Sequence, residues 1–156
     1  MDFEYSETYS PELEEFRKEV QRWLNETVPP DIQAPYDQGA LGISEEHQLH
    51  YELYDWAAEF RRKLGAKRWL YPAMPHKYGG GGLTADHAAV IREELRRRQP
   101  PWMHSVDLIF GPLLVWATDE QREKFLPGIL SGETITMQIF TEPQGEIGRA
   151  SCRERV

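Results

Sequence analysis

The sequence predicts a mainly α protein: a helical bundle with one unpaired β-strand near the C-terminal end. Two observations carry this. Apolar residues recur at helical spacing in successive segments, each opened by a capping residue and closed by Pro or Gly. Only residues 134–140 alternate in the β-branched manner of a strand. With 40% apolar and 28% charged residues, a chain of 156 residues can bury a single core and does not read as disordered.

The first helix carries Leu13, Phe16, Val20, Trp23 and Leu24 on one stripe. Ser10 is its N-cap and Pro11 suits its first position. Glu12, Glu14 and Glu15 face the positive end of the helix dipole, and Pro29-Pro30 stops it near Thr27. Residues 28–43 read as a loop. The second helix is expected to start at a Ser44 cap and to carry Leu49, Leu53, Trp56, Phe60 and Leu64 inward. Glu52, Asp55, Glu59 and Arg62 fill its outer face, and Gly65 ends it. From Ala66 to Leu83, Pro72, Pro75 and the glycines 79–82 exclude a regular helix.

Thr84 caps a third helix with Ala88, Ile91 and Leu95 inward, closed by Gln99-Pro100-Pro101. A fourth is expected over Met103–Trp116, carrying Val106, Ile109, Phe110, Leu113 and Leu114, with a kink or split at Gly111-Pro112. Thr118-Asp119-Glu120-Gln121 has the form of a capping box. The helix it opens carries Phe125, Leu126, Ile129 and Leu130, and Pro127 shortens or bends it. Ser131-Gly132-Glu133 is a turn, after which Thr134–Phe140 reads as the strand. A lone strand needs partners for its backbone groups, from another chain or from a sheet beyond this sequence.

Composition excludes several classes. The formal net charge of −8 argues against a nucleic-acid binder held by phosphate contacts. No run approaches the about 18 apolar residues of a membrane span, and residues 1–10 are too acidic for a secretory signal, so a cytoplasmic protein is expected. With Cys152 as the one cysteine, an intrachain disulfide is impossible.

Few constellations suggest chemistry. The four consecutive glycines lack a preceding strand and any Gly-Lys-Ser/Thr, so a tight structural turn is favoured over a phosphate cradle. His47 and His50 have a metal-compatible spacing without an evident third ligand, and solvent-exposed histidines are the favoured reading. His76, His87 and His104 are isolated. Arg61-Arg62-Lys63 and Arg96-Arg97-Arg98 read as cations at the negative ends of their helices. No catalytic residue and no metal ligand is assigned. Gln138-Ile139-Phe140-Thr141-Glu142-Pro143 reads, on chemistry alone, as a strand end with a turn.

Four stretches in order resemble the acyl-CoA dehydrogenase family. They are Phe16–Val20 through Trp23-Leu24 to Pro29; Tyr71-Pro72 through Pro75, Tyr78-Gly79-Gly80 and Gly82-Leu83; Ile91–Leu95; and Thr118–Gln121 through Phe125-Leu126-Pro127, Gly132-Glu133, Gln138 and Thr141-Glu142-Pro143. The last block is the most specific, and the resemblance covers about residues 2–145. Met74 stands where the family often has Trp, and Ala117 where Gly is usual.

The resemblance implies an N-terminal helical domain over residues 1–132 and, over 133–145, the first strand of a middle β-barrel. It implies FAD as cofactor, with Gln138 and Phe140 presenting backbone groups to the flavin ring and Thr141 its hydroxyl. It implies α,β-dehydrogenation of an acyl-CoA thioester, with a glutamate base in a C-terminal domain; Glu142 holds a turn position instead. An electron-transfer flavoprotein-like acceptor and a homo-oligomeric full-length enzyme are implied too. The chain alone is then expected to be inactive. A related flavin oxidase, or a non-enzymatic helical interaction module, are the alternatives.

Residues 146–156 depart abruptly from the family and resemble the translation of a common short-read sequencing adapter. They are expected to be foreign to the gene. Without their three Arg and two Glu the net charge moves from −8 to −9, and the cysteine is lost.

Overall fold

The computed structural model describes residues 9–32, 53–101 and 107–136. Helix α1 (Pro11–Thr27) begins where Ser10 Oγ accepts from the Leu13 amide at 3.3 Å, with Pro11 in the first turn. It ends at Val28, whose N–H still reaches the Leu24 carbonyl at 2.8 Å before the two prolines. Helix α2 (Tyr54–Ala66) follows, then a 3-10 turn (His76–Tyr78) and α3 (Ala85–Arg98). A second 3-10 turn (Asp107–Ile109) leads into the short α4 (Phe110–Val115), and α5 (Asp119–Leu130) closes the set. Among the described residues there is no strand.

The expected caps of α3 and α5 are present. Thr84 accepts from the His87 amide, and Thr118 and Gln121 form the reciprocal capping box at 2.9 and 3.2 Å. The expected start of α2 at Ser44, with Leu49, lies outside the described residues. So do residues 137–140 of the expected strand and the Met103–Val106 start of the expected fourth helix. Among the described residues, Thr134–Thr136 make no ladder.

Several expectations are corrected. Gly65 does not end α2; the helix runs through it to Ala66. It lies on the buried stripe with Ala57, Phe60, Arg61 and Leu64, where a Cβ would stand 1.9 Å from the Ser131 carbonyl oxygen. The left-handed residue that reverses the chain is Arg68, at φ 61°. Arg61 is no exposed helix-end cation: its position on that stripe buries it, at 2% exposure. Phe125 is not inward either, at 48% exposure. The buried residues of α5 are Leu126, Ile129 and Leu130, and Phe125 falls about 100° off their stripe. The expected fourth helix divides before Gly111-Pro112, and Pro112 sits in the first turn of α4, where its missing N–H costs nothing.

Two apolar clusters form the core. In the first, Val20, Leu24 and Val28 of the α1 segment meet Phe60 and Leu64 of α2, Trp69, Leu70 and Ile91 of α3. Trp23 joins them edge-on to Trp69 at 5.4 Å, and Trp56 stacks on Phe60 at 5.0 Å. The second joins Tyr78, Phe110, Leu126, Ile129 and Leu130. Tyr71 packs against both, with its ring 4.7 Å from Phe110. Each fully buried side chain of this size contributes about 1.5–3 kcal/mol.

Candidate functional site

The residues expected to face a flavin, Gln138, Phe140 and Thr141, lie outside the described residues. What the structure does define is the seam from which that segment departs. Helix α5 ends on two backbone contacts with α2: Gly65 against Ser131, and Gly132 against Arg61. Gly132 needs φ 85°, and a Cβ there would stand 2.8 Å from the Arg61 carbonyl oxygen, so glycine is required twice over. The Thr134 amide donates to the Gly128 carbonyl at 2.9 Å, and Ser131 Oγ donates to the same oxygen at 3.1 Å. Glu133 faces Arg62 Nε at 3.5 Å. These contacts fix the path of the chain to Thr134.

The glycine run offers no phosphate cradle. The amides of Gly79, Gly80, Gly81, Gly82 and Leu83 donate to the carbonyls of His76, Pro75, Tyr71, Met74 and Pro72 at 2.8–3.3 Å. A loop that binds phosphate needs such N–H groups free and convergent. Here the loop instead ties the start of α3 to the segment after α2.

A buried ionic cluster joins α1 to α3. Arg17 Nη1 donates to Glu94 Oε1 at 2.6 Å and Nη2 to Glu93 Oε2 at 2.8 Å. Gln21 donates to the other Glu94 oxygen at 3.1 Å, and the Tyr9 hydroxyl to Glu93 at 2.6 Å. Burial works against the Arg17 charge, but the hydrogen bonds to Glu94 and Glu93, with the charges of Glu93 and Glu14, outweigh it and raise its pKa. The Tyr9 hydrogen bond, then those from Arg17, hold the Glu93 carboxyl below its ordinary value against the opposing effect of burial. Sequence periodicity gave no sign of this cluster, since neither Arg17 nor Glu94 belongs to the apolar stripe named for its helix.

Arg98 behaves differently from the expected dipole cation. Its Nη2 donates to the Val28 and Pro29 carbonyls at 2.7 and 2.5 Å, and so caps the end of α1 rather than its own helix. His76 Nδ1 lies 3.0 Å from the Gly80 carbonyl, and His87 Nδ1 is 2.7 Å from Thr84 Oγ1 with its ring against Phe16. Both are structural. His47, His50 and His104 lie outside the described residues. A groove of about 670 Å³ beside α1 is lined by Glu12, Glu15, Glu19 and Glu26, together with Arg22, Lys67 and His87, around Phe16 and Trp23. Its carboxylates outnumber its fixed cations, which does not favour a phosphate-bearing ligand.

Among the described residues, no helix is long and apolar enough to cross a membrane. The family model for the acyl-CoA dehydrogenase N-terminal domain matches residues 10–133. An acyl-CoA dehydrogenase, IpdE1, of Mycolicibacterium smegmatis is 32% identical over 135 residues, covering 85% of this chain and 33% of that protein. A probable acyl-CoA dehydrogenase of Bacillus subtilis is 27% identical over 151 residues, covering 91% of this chain and 23% of that one. Among solved structures, a steroid acyl-CoA dehydrogenase, Tcur3481-Tcur3483, superposes with a TM-score of 0.63 at 26% identity over 92% of this chain and 35% of that chain. The chain thus spans about a quarter to a third of the length of these relatives.

Proposed function

Because the chain belongs to the acyl-CoA dehydrogenase family, as its N-terminal domain, we propose that it is part of a longer FAD-dependent enzyme that desaturates acyl-CoA thioesters between the α and β carbons. The match over residues 10–133 is the observation that carries this reading. The flavin's chemistry is hydride acceptance from the β-carbon. The α-proton passes to a glutamate that family resemblance assigns to a C-terminal domain, so this chain alone does not catalyse.

In this reading residues 1–132 form the helical domain and 133–145 begin the middle β-barrel. Gln138 and Phe140 offer backbone groups to the flavin ring, and Thr141 its hydroxyl. The close backbone seam at Gly65, Ser131 and Gly132 supports the domain boundary, because it is where the helical set closes before that segment begins. An electron-transfer flavoprotein-like acceptor, assembly through the C-terminal domain and a cytoplasmic location complete the proposal. Residues 146–156 are read as foreign to the gene.

Expression of the unbroken gene tests this. Stoichiometric bound flavin with acyl-CoA-dependent reduction of a dye supports the reading. Rapid oxygen consumption would assign a flavin oxidase, and a natural stop codon after Val156 without bound flavin would overturn the proposal.

A further inference from the structure

We propose that Arg61, together with the Tyr71 hydroxyl, forms a binding site for a carboxylate beneath the turn by which the chain leaves the helical domain. Arginine keeps its charge at any ordinary pH, and it is almost never fully buried without an anionic partner. Arg61 is 2% exposed, and among the described residues its Nε has no hydrogen-bond partner. Its polar contact is a neutral one: Nη2 donates to the Tyr71 hydroxyl at 3.1 Å, with the guanidinium 5.7 Å from the Tyr71 ring centroid.

The neighbouring acids serve a different cation. Glu59 and Glu133 both pair with Arg62, on the exposed side of α2, at 3.1 and 3.5 Å. Among the described residues, Arg61 therefore has no carboxylate partner for its buried charge. Having accepted from Arg61, the Tyr71 hydroxyl still has its own O–H to donate. Nε–H and O–H together suit an acceptor with two oxygens. A carboxylate can come from a side chain elsewhere in the chain or from a free small acid. The site itself does not depend on the acyl-CoA reading.

The test uses the 156-residue chain, labelled with 15N at arginine, and sodium formate as probe against sodium chloride at matched ionic strength. The Arg61 Nε–H resonance is identified by its loss in Arg61→Lys, with Arg61→Met as a second variant should that one fail to fold. For a free-acid site, formate moves the resonance downfield and raises the thermal midpoint by about 3 °C at several-fold saturation, and the rise is lost in the variant. For a carboxylate of the chain itself, the resonance is downfield before formate is added and moves upfield as the pH falls through the carboxylate range. A resonance insensitive to both formate and pH, or an equal formate response in wild type and variant, overturns the proposal. A phosphate response in place of a formate response overturns the assigned ligand class.

Discussion

Arg17 Nη1 lies 2.6 Å from Glu94 Oε1, with the two side chains 10% and 5% exposed, and this contact bonds the middle of α1 to the middle of α3. Around it the apolar faces of both helices close on Trp69 and Ile91. The pair matters through what either partner becomes alone: a charge in the interior with too few partners.

Arg17→Met should therefore cost about 3 kcal/mol in urea unfolding, since among the described residues Glu94 keeps only Gln21 and the rim residue Arg97 at 3.3 Å. Adding Glu94→Leu should recover most of that loss, because an apolar pair needs no counter-charge. A double variant no more stable than the single one would show that the pair is not what Arg17 contributes.

Stability should fall in acid through Glu93. Its folded carboxyl titrates below the ordinary value, so the unfolded chain takes up the proton first as pH drops. The contribution is fully present above the ordinary carboxylate range and is lost as pH falls from that range through the lowered value. Urea midpoints measured across that window should decline less steeply for Glu93→Gln than for wild type.

Gly65→Ala should be among the most damaging single changes. Its new methyl would meet backbone, the Ser131 carbonyl at 1.9 Å, and backbone cannot rotate away as a side chain can. A loss of about 3 kcal/mol or more is expected in thermal or urea unfolding. Gly132→Ala should behave similarly, with backbone strain added at φ 85°.

Arg68→Gly should stabilise. Arg68 holds φ 61°, a region that disfavours side chains by about 1–2 kcal/mol, and the added entropy of an unfolded glycine offsets only part of that. Its exposed contact with His76 adds little. A rise of about 1 kcal/mol in unfolding free energy is expected. An unchanged or lowered midpoint would mean that the His76 contact outweighs the strain.

Much of the fold was legible in the chain because its signals are local. Ser10, Thr84 and the Thr118–Gln121 box satisfy amides only three residues away, so the starts of α1, α3 and α5 depend on nothing distant. The inward stripes of α1 and α3 follow from helical spacing alone. The same spacing would have placed Arg61 inward with Phe60 and Leu64, but beside Arg62 and Lys63 it reads as a cation at the negative end of its helix. The Gln138, Phe140 and Thr141 segment owes its assignment to family resemblance, since a strand end and a turn have no chemical signature of their own.

What the sequence by itself determined is where the helices begin, which faces of α1 and α3 are apolar, and which family the chain belongs to. The tertiary structure alone decided what those helices meet. Gly65 and Gly132 are close-approach points because α5 ends against α2; Arg17 is an interior cation because α3 brings two carboxylates to it; and Arg98 caps α1 from another helix. Each of these depends on atoms more than fifty residues apart in the chain, and no local propensity encodes a distance between them.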